Sequence, residues 1–292
     1  MNDLQLATPV ALFVFNRPDT TARVFERIRQ VKPAKLFVIA DGPRATHPQD
    51  AYGCAATRAT VQQVDWECDC LFNYANGNMG CKNRMASGLD WVFSLVEEAI
   101  ILEHDTLPDP SFFRFCQELL VQYRHDERIM NISGCNFQFG HRVTNYSYYL
   151  SRYVHCWGWA SWRRAWKYYD VNMTLWPEVA NGGLLPSILG HDLGSVYWQR
   201  IFDLTYHGHI NTWDYQWVFS CWLQNGLSIL PQVNLVSNIG FDAQGTHTTN
   251  SSSRVANLPA ESIHFPLLSP PYILCNQAAD DVTQQLYNTG EM

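Results

Sequence analysis

Glu103 and Asp105 are the residues whose types and spacing first suggest chemistry. They follow the apolar run Ala99-Ile100-Ile101-Leu102 and precede Thr106-Leu107-Pro108-Asp109-Pro110. A short, bounded apolar run reads as a strand buried on both faces. Side chains alternate along a strand, so positions 103 and 105 point the same way. Ligands of parallel sheets collect outside the carboxyl ends of the strands. Two carboxylates there suit a hard divalent cation, which takes oxygen ligands and can hold a diphosphate. The competing reading is an ordinary polar strand end, the commoner fate of an isolated Glu-X-Asp.

Other residues qualify by type and position. Asp214 stands near the first turn of a helix predicted to open at Trp213-Asp214-Tyr215-Gln216-Trp217. A carboxylate so placed can take a proton from an attacking hydroxyl, or it can simply cap the helix. Asn76-Gly77-Asn78-Met79-Gly80 opens another helix, and its amides with Lys82 and Arg84 could hold phosphate. A turn with a solvated basic helix start is an equal alternative, because a glycine loop alone is a weak motif. Trp157 and Trp159 lie in the densest aromatic segment, where either could face a ligand and the others fill core. His247 sits in a glycine-bearing loop over 240–249, as a metal ligand, a phosphate donor or a solvated histidine.

The elements that must position these residues alternate strand and helix. Residues 9–15 read as a strand broken by Asn16-Arg17-Pro18, with Asp19 or Thr20 capping a helix that carries Val24, Ile28 and Val31. Residues 35–40 form a second strand ending at Asp41-Gly42, which completes a right-handed βαβ unit. A helix over 57–64 and a strand over 70–74 follow. Strands are expected over 128–135, 148–151 and 227–231, and helices from Ser111, over 160–169, over 196–206 and from 213. Residues 171–195 read as a loop-rich connection, and 250–292 as polar and poorly periodic, wrapping the surface.

Composition excludes several classes. The chain has 292 residues, enough for one large α/β domain or two interlocked lobes. At 47% hydrophobic it is not a disordered chain. A formal net charge of −7 argues against a nucleic-acid partner. Aromatic residues at 14%, including 11 Trp, suit a cleft that stacks on bases or sugar rings. The 9 cysteines are odd in number, and Cys68-Asp69-Cys70 has no partner pair at zinc spacing. They read as reduced thiols of a cytoplasmic protein. No signal peptide or transmembrane run is expected, which leaves peripheral contact at the inner face of a membrane open.

Taken together, the blocks resemble a nucleotide-sugar glycosyltransferase of the GT-A fold over about residues 8–250. The likeness is to the branch containing N-acetylglucosaminyltransferase I and to bacterial family-two-type transferases. It rests on Asn16-Arg17, on Ile39-Ala40-Asp41-Gly42, and on Leu102-Glu103-His104-Asp105 running into Phe112-Phe113. Trp157-Gly158-Trp159, Trp213-Asp214 through Trp217, and Gly240 to His247 add to it. The resemblance implies a Rossmann-like α/β/α three-layer fold with a mixed, mainly parallel central sheet. Residues 1–105 would form the nucleotide-sugar half, 106–250 the acceptor and catalytic half, and 251–292 a C-terminal surface tail.

Site roles follow from the same likeness. Arg17 and Asp41, with Asn16, would meet phosphate and uracil. Asp105 would carry Mn²⁺ or Mg²⁺. Trp157 and Trp159 would lie on the acceptor side, Asp214 would be the catalytic base, and the loop to His247 would close on the diphosphate. His104 replaces the middle acid of the family's Glu-Asp-Asp motif, at the position that faces donor sugar or ribose. The expected reaction is inverting transfer from a UDP-sugar, UDP-GlcNAc among the candidates, to a glycan or lipid-linked acceptor in polysaccharide synthesis. A nucleotidyltransferase making sugar nucleotides is the rival, weakened because Phe15-Asn16-Arg17-Pro18 has no glycine. An inactive carbohydrate-binding relative is the non-enzyme alternative.

Overall fold

A computed structural model of the chain describes residues 5–189, 194–241 and 253–291. Along it, β1 (Val10–Val14) leads through α1 (Pro18–Val31) to β2 (Lys35–Ala40), α2 (Gln49–Val61), β3 (Asp69–Tyr74), α3 (Gly80–Leu95) and β4 (Glu98–Glu103). Then come β5 (Thr106–Pro108), α4 (Ser111–Gln122), β6 (Ile129–Ser133), β7 (Tyr148–Ser151) and β8 (Trp159–Trp162). Helices α5 (Arg163–Trp166), α6 (Trp176–Asn181), α7 (Leu185–Leu189), α8 (Ser195–Tyr206) and α9 (Asp214–Leu223) follow. The chain finishes with β9 (Leu227–Pro231), β10 (Val236–Asn238) and α10 (Gln277–Thr289).

Among the described residues, one sheet of eight strands runs β3-β2-β1-β4-β8-β6-β9-β7. The strands β3, β2, β1 and β4 pair in parallel, and so do β6 and β9. The antiparallel members are β8 and β7. β5 and β10 form a separate antiparallel pair. Alternation along the strands sends side chains into two cores. Ala11, Phe13, Phe37, Ile39, Ile101 and Trp159 meet α3 and α5 to α9 on one face. Val10, Leu12, Leu36, Val38, Ile100 and Trp162 meet α1, α2 and α4 on the other. The fold is therefore the expected Rossmann-like α/β/α sandwich with a mixed, mainly parallel sheet. No helix among the described residues is long and apolar enough to cross a membrane.

Several local expectations are corrected. Neither Asp19 nor Thr20 caps α1: the N-cap is Arg17, with no side-chain bond, and Pro18 starts the helix because its fixed φ suits the first turn. α2 begins at Gln49 rather than 57. Trp159–Trp162, expected to be largely helical, is a central strand between β4 and β8's other neighbour β6. Bulky aromatics fit a strand buried on both faces, and Ser161 is satisfied by donating to the Met130 carbonyl at 2.7 Å. All 9 cysteines are free thiols, five of them buried.

A helix also occupies the segment read as aperiodic. α10 is capped by Asn276, whose side chain accepts from Ala279 N at 3.2 Å. Its inward face carries Asp280, Thr283, Gln284, Leu286 and Tyr287. Gln284 Oε1 accepts from the Tyr153 hydroxyl at 2.6 Å and from Trp198 Nε1 at 3.0 Å. Tyr287 packs on Trp198 at 4.8 Å between ring centroids. Asp280 accepts from the Ser151 hydroxyl and from Arg152 N, so it ties α10 to the end of β7. Asp280, Thr283 and Gln284 on this inward face are polar, so hydrophobic period could not mark the helix.

Burial pushes the Asp280 carboxyl up to about 6, against 3.8 ordinarily, although its two donors pull the other way. The folded chain holds a proton there that the unfolded chain has released. This stabilising contribution is complete below the ordinary value and is lost as pH rises through about 6. Against an Asp280→Asn variant, wild-type unfolding free energy should fall by about 3 kcal/mol between about pH 4 and pH 7.5, measured by urea titration. A gap that does not change with pH would contradict the assignment.

Candidate active site

β1 lies between β2 and β4, all parallel, and the chain leaves it toward β2 and β3 before β4 returns on the far side. The strand order therefore reverses between β1 and β4, where open α/β sheets hold their ligands. Phe13 is in register with Glu103 across that boundary. At the carboxyl ends of these strands lies an open cavity. It is lined by Asn16, Arg17, Asp41, Arg84, Glu103, His104, Asp105, Trp157 and Asp214, together with Cys81, Thr212 and Asn238. Lys82 and Trp159 are not on its wall. His247 lies outside the described residues.

The acids are braced by backbone. The Thr106 hydroxyl bonds both Glu103 N (2.9 Å) and Glu103 O (3.0 Å), which fixes the turn that follows β4. Ile239 N donates to Asp105 O at 2.8 Å, beyond the β5–β10 ladder. Gly240 then passes so close that a Cβ would lie 2.1 Å from Asp105 Oδ2 and 3.0 Å from Asp105 Cβ. Arg17 Nη1 reaches the Gly240 carbonyl at 3.5 Å, and Asn238 Oδ1 accepts from Gly240 N at 2.9 Å. His104 Nε2 stands 3.8 Å from Asp105 Oδ2.

Asp214 bounds the cavity from the far half, with Trp157, Thr212, Trp213 and Asn238. It opens α9, and its carboxylate accepts from the Thr212 hydroxyl and from Tyr215 N at 2.9 Å. The N-cap itself is Trp213. The Trp213 ring stacks on Trp159 at 5.6 Å, and Trp159 also packs on Trp217 and Trp166. Trp159 is fully buried in β8, so it fills core behind the helix start and does not face an acceptor. Trp157 does face the cavity, with its ring against Phe137 and Phe241 at 5.5 Å each.

Charge accumulates here. Burial, then the neighbouring carboxylates of Asp105 and Asp214, pushes the Glu103 carboxyl well above its ordinary value. Burial and the same acids raise the Cys81 thiol strongly, so it is no nucleophile despite lining the cavity. Among the described residues, no three His, Cys, Asp or Glu side chains gather as a metal cage. An oxygen-liganded cation held by one or two carboxylates and completed by ligand phosphates does not need one.

The basic and glycine elements serve differently from their sequence reading. Asp41 Oδ1 accepts from Gly42 N (2.8 Å) and Met79 N (2.9 Å), and Oδ2 from Asn78 Nδ2 (3.0 Å) and Gly80 N (3.1 Å). The loop amides at 79 and 80 are therefore committed to Asp41. Gly42 packs on this loop so tightly that a Cβ would lie 2.5 Å from Gly77. Arg84 is buried and donates to the Asn73 carbonyl and to Asn73 Oδ1 at 2.9 Å, which pins the end of β3. Sequence reading missed Thr212, Asn238 and the Arg44–Asp50 pair that grips Asn16, because none of them sits at a diagnostic spacing.

No family model matches the chain. No curated protein matches it. Among solved structures, the crystal structure of UDP-glucose pyrophosphorylase complexed with UDP-glucose is similar at 11% identity and a TM-score of 0.27. The match spans 50% of this chain and 62% of that one, less than two thirds of that protein's length.

The approach of Gly240 to Asp105 generates a double-mutant test. Gly240→Ala should destabilise the protein by about 1–3 kcal/mol, because the new methyl group forces the carboxylate to turn. Adding Asp105→Ala should restore at least about 1 kcal/mol of that loss in urea titrations. Additive losses would mean that the two residues do not touch in solution.

Proposed function

We propose that this chain is a GT-A-type glycosyltransferase that moves a sugar from a UDP-sugar to a hydroxyl of a glycan or lipid-linked acceptor, with inversion. The observation that carries the reading is that Asp105 and Asp214 face one cavity at the point where the strand order reverses. In this reading residues 1–105 supply the donor half and 106–250 the acceptor half.

Each residue has a task. Arg17, beside Gly240 and Asp105, offers a positive charge to the departing diphosphate. Asp105, with Glu103 next to it, would hold Mn²⁺ or Mg²⁺, and the donor's own phosphates would complete the ligand set. The cation supplies Lewis-acid charge neutralisation on the leaving group when bound. His104 faces donor sugar or ribose. Lys82, on the first turn of α3, and His247 would add charge or ligands once donor is present.

Asp214 takes the proton of the acceptor hydroxyl as that oxygen attacks the anomeric carbon. The anomeric carbon–phosphate oxygen bond breaks as the new glycosidic bond forms, and its electron pair leaves with the diphosphate. Thr212 and Tyr215 N hold the carboxylate toward the cavity, which orients it for one proton and one face of the sugar. Trp157 gives the acceptor ring an apolar face. A lipid-linked acceptor would bring the enzyme, as a cytoplasmic protein, to the inner face of the membrane peripherally.

Purified protein incubated with a panel of UDP-sugars in Mn²⁺ should release UDP and free or transferred sugar. Asp105→Ala should weaken UDP binding in Mn²⁺ by about tenfold or more. Asp214→Asn should keep UDP affinity while turnover falls by about 10²–10⁴. Normal turnover by Asp214→Asn would remove it as the base. Formation of UTP from a UDP-sugar and pyrophosphate, without UDP release, would replace this reading with nucleotidyl transfer.

A further inference from the structure

Donor recognition at this site, given the reading above, falls to a residue other than the acid at the end of β2. Asp41 has two donors on each carboxylate oxygen, all from the protein, and has no acceptor left for a base. The end of β1 is built differently. Asn16 lines the cavity, and its Nδ2 donates to Asp50 Oδ1 at 2.7 Å. Asp50 is buried and forked by Arg44, Nε to Oδ2 at 2.6 Å and Nη2 to Oδ1 at 3.0 Å. Arg44 above all, with Asn16, holds the Asp50 carboxyl down at about 2, so it stays ionised.

An ionised carboxylate can only accept. The amide nitrogen of Asn16 must therefore face Asp50, and the side chain cannot flip. Two further contacts fix the assembly. The Arg44 guanidinium lies over the Phe15 ring at 5.5 Å. Gly53 of α2 packs so closely that a Cβ would lie 2.8 Å from the Asn16 carbonyl oxygen. Left over on Asn16 are its amide oxygen and its second N–H.

A free asparagine is ambidextrous: by flipping, it pairs with a donor–acceptor edge in either order. Held by Asp50, and with the ring nitrogen of the base placed opposite its oxygen by the rest of the nucleotide, it reads one order only. Its oxygen takes a ring N–H, and its N–H meets the neighbouring ring carbonyl. Uracil carries that imide order, as does guanine, whereas cytosine and adenine carry the reverse. Neither Asp41 nor the paired Asp50 presents a free charge at this end, which suits a neutral base.

We propose that Asn16 reads the imide edge of the donor's base and that Arg44 and Asp50 are its positioning residues, which prevent the amide from flipping. The inference rests on the nucleotide-sugar reading of the same cavity.

The test is calorimetric titration of the full chain with UDP, CDP, GDP and ADP in Mg²⁺. Wild type should bind UDP about tenfold more tightly than CDP, the two being alike in size and charge; any guanine binding should likewise exceed adenine. In Asp50→Asn the UDP-to-CDP ratio should fall toward one while both nucleotides still bind. Asn16→Ala should lose the same ratio through weaker UDP binding. Arg44→Lys, which keeps a charge beside Asp50, should retain part of it.

A merely structural role for Asp50 would weaken both nucleotides equally, and an unchanged ratio in Asp50→Asn would overturn the proposal. So would a wild-type preference for CDP. Turnover of UDP-sugars without base preference would sink this inference alone. Binding of no nucleotide would sink the glycosyltransferase reading with it.

Discussion

Like charges held together in a shallow dielectric set the terms for this molecule. Glu103, Asp105 and Asp214 share one cavity, and burial makes their mutual repulsion stronger than it would be in water. Such a cluster persists only where backbone and packing hold it. Thr106 closes the turn under Glu103, Gly240 backs onto Asp105, and Thr212 and an amide hold Asp214. Glu103 relieves part of the strain by keeping its proton to higher pH. In the proposed reading, a cation and a charged donor would relieve the rest.

The sheet brings the acids together from both halves of the chain. Asp105 lies in the turn between β4 and β5, whereas Asp214 begins a helix more than a hundred residues later. Trp159 connects them. It stands in β8 beside β4 and stacks on Trp213, the residue before Asp214. The aromatic excess is thus mainly a positioning device, a rigid core that sets the distance between two carboxylates. Of Trp157 and Trp159, only Trp157 faces the cavity.

Legibility followed the physics of each element. Strands buried on both faces announce themselves as bounded apolar runs, which is why β1, β2 and β4 and the polar residues at their ends were readable. Position after such a strand located Asn16, Arg17, Asp41, Glu103 and Asp105. Trp159–Trp162 was misread because a short aromatic run has no period that separates strand from helix. α10 was invisible because its buried face uses Asp280, Thr283 and Gln284, whose partners lie far away in sequence. Asp50 and Gly240 act by close approach, which spacing along the chain does not encode. In sequence the loop amides at 79 and 80 read as free for phosphate, whereas in the fold Asp41 accepts from both.

In the proposed reaction a cation beside Asp105 would restrain a diphosphate opposite Asp214. Anomalous scattering at the manganese edge, from crystals grown with UDP and Mn²⁺, tests this directly. One strong peak touching Asp105 and the diphosphate is expected, with uracil against Asn16. A peak elsewhere, or UDP bound in the cavity with no metal at Asp105, would contradict it.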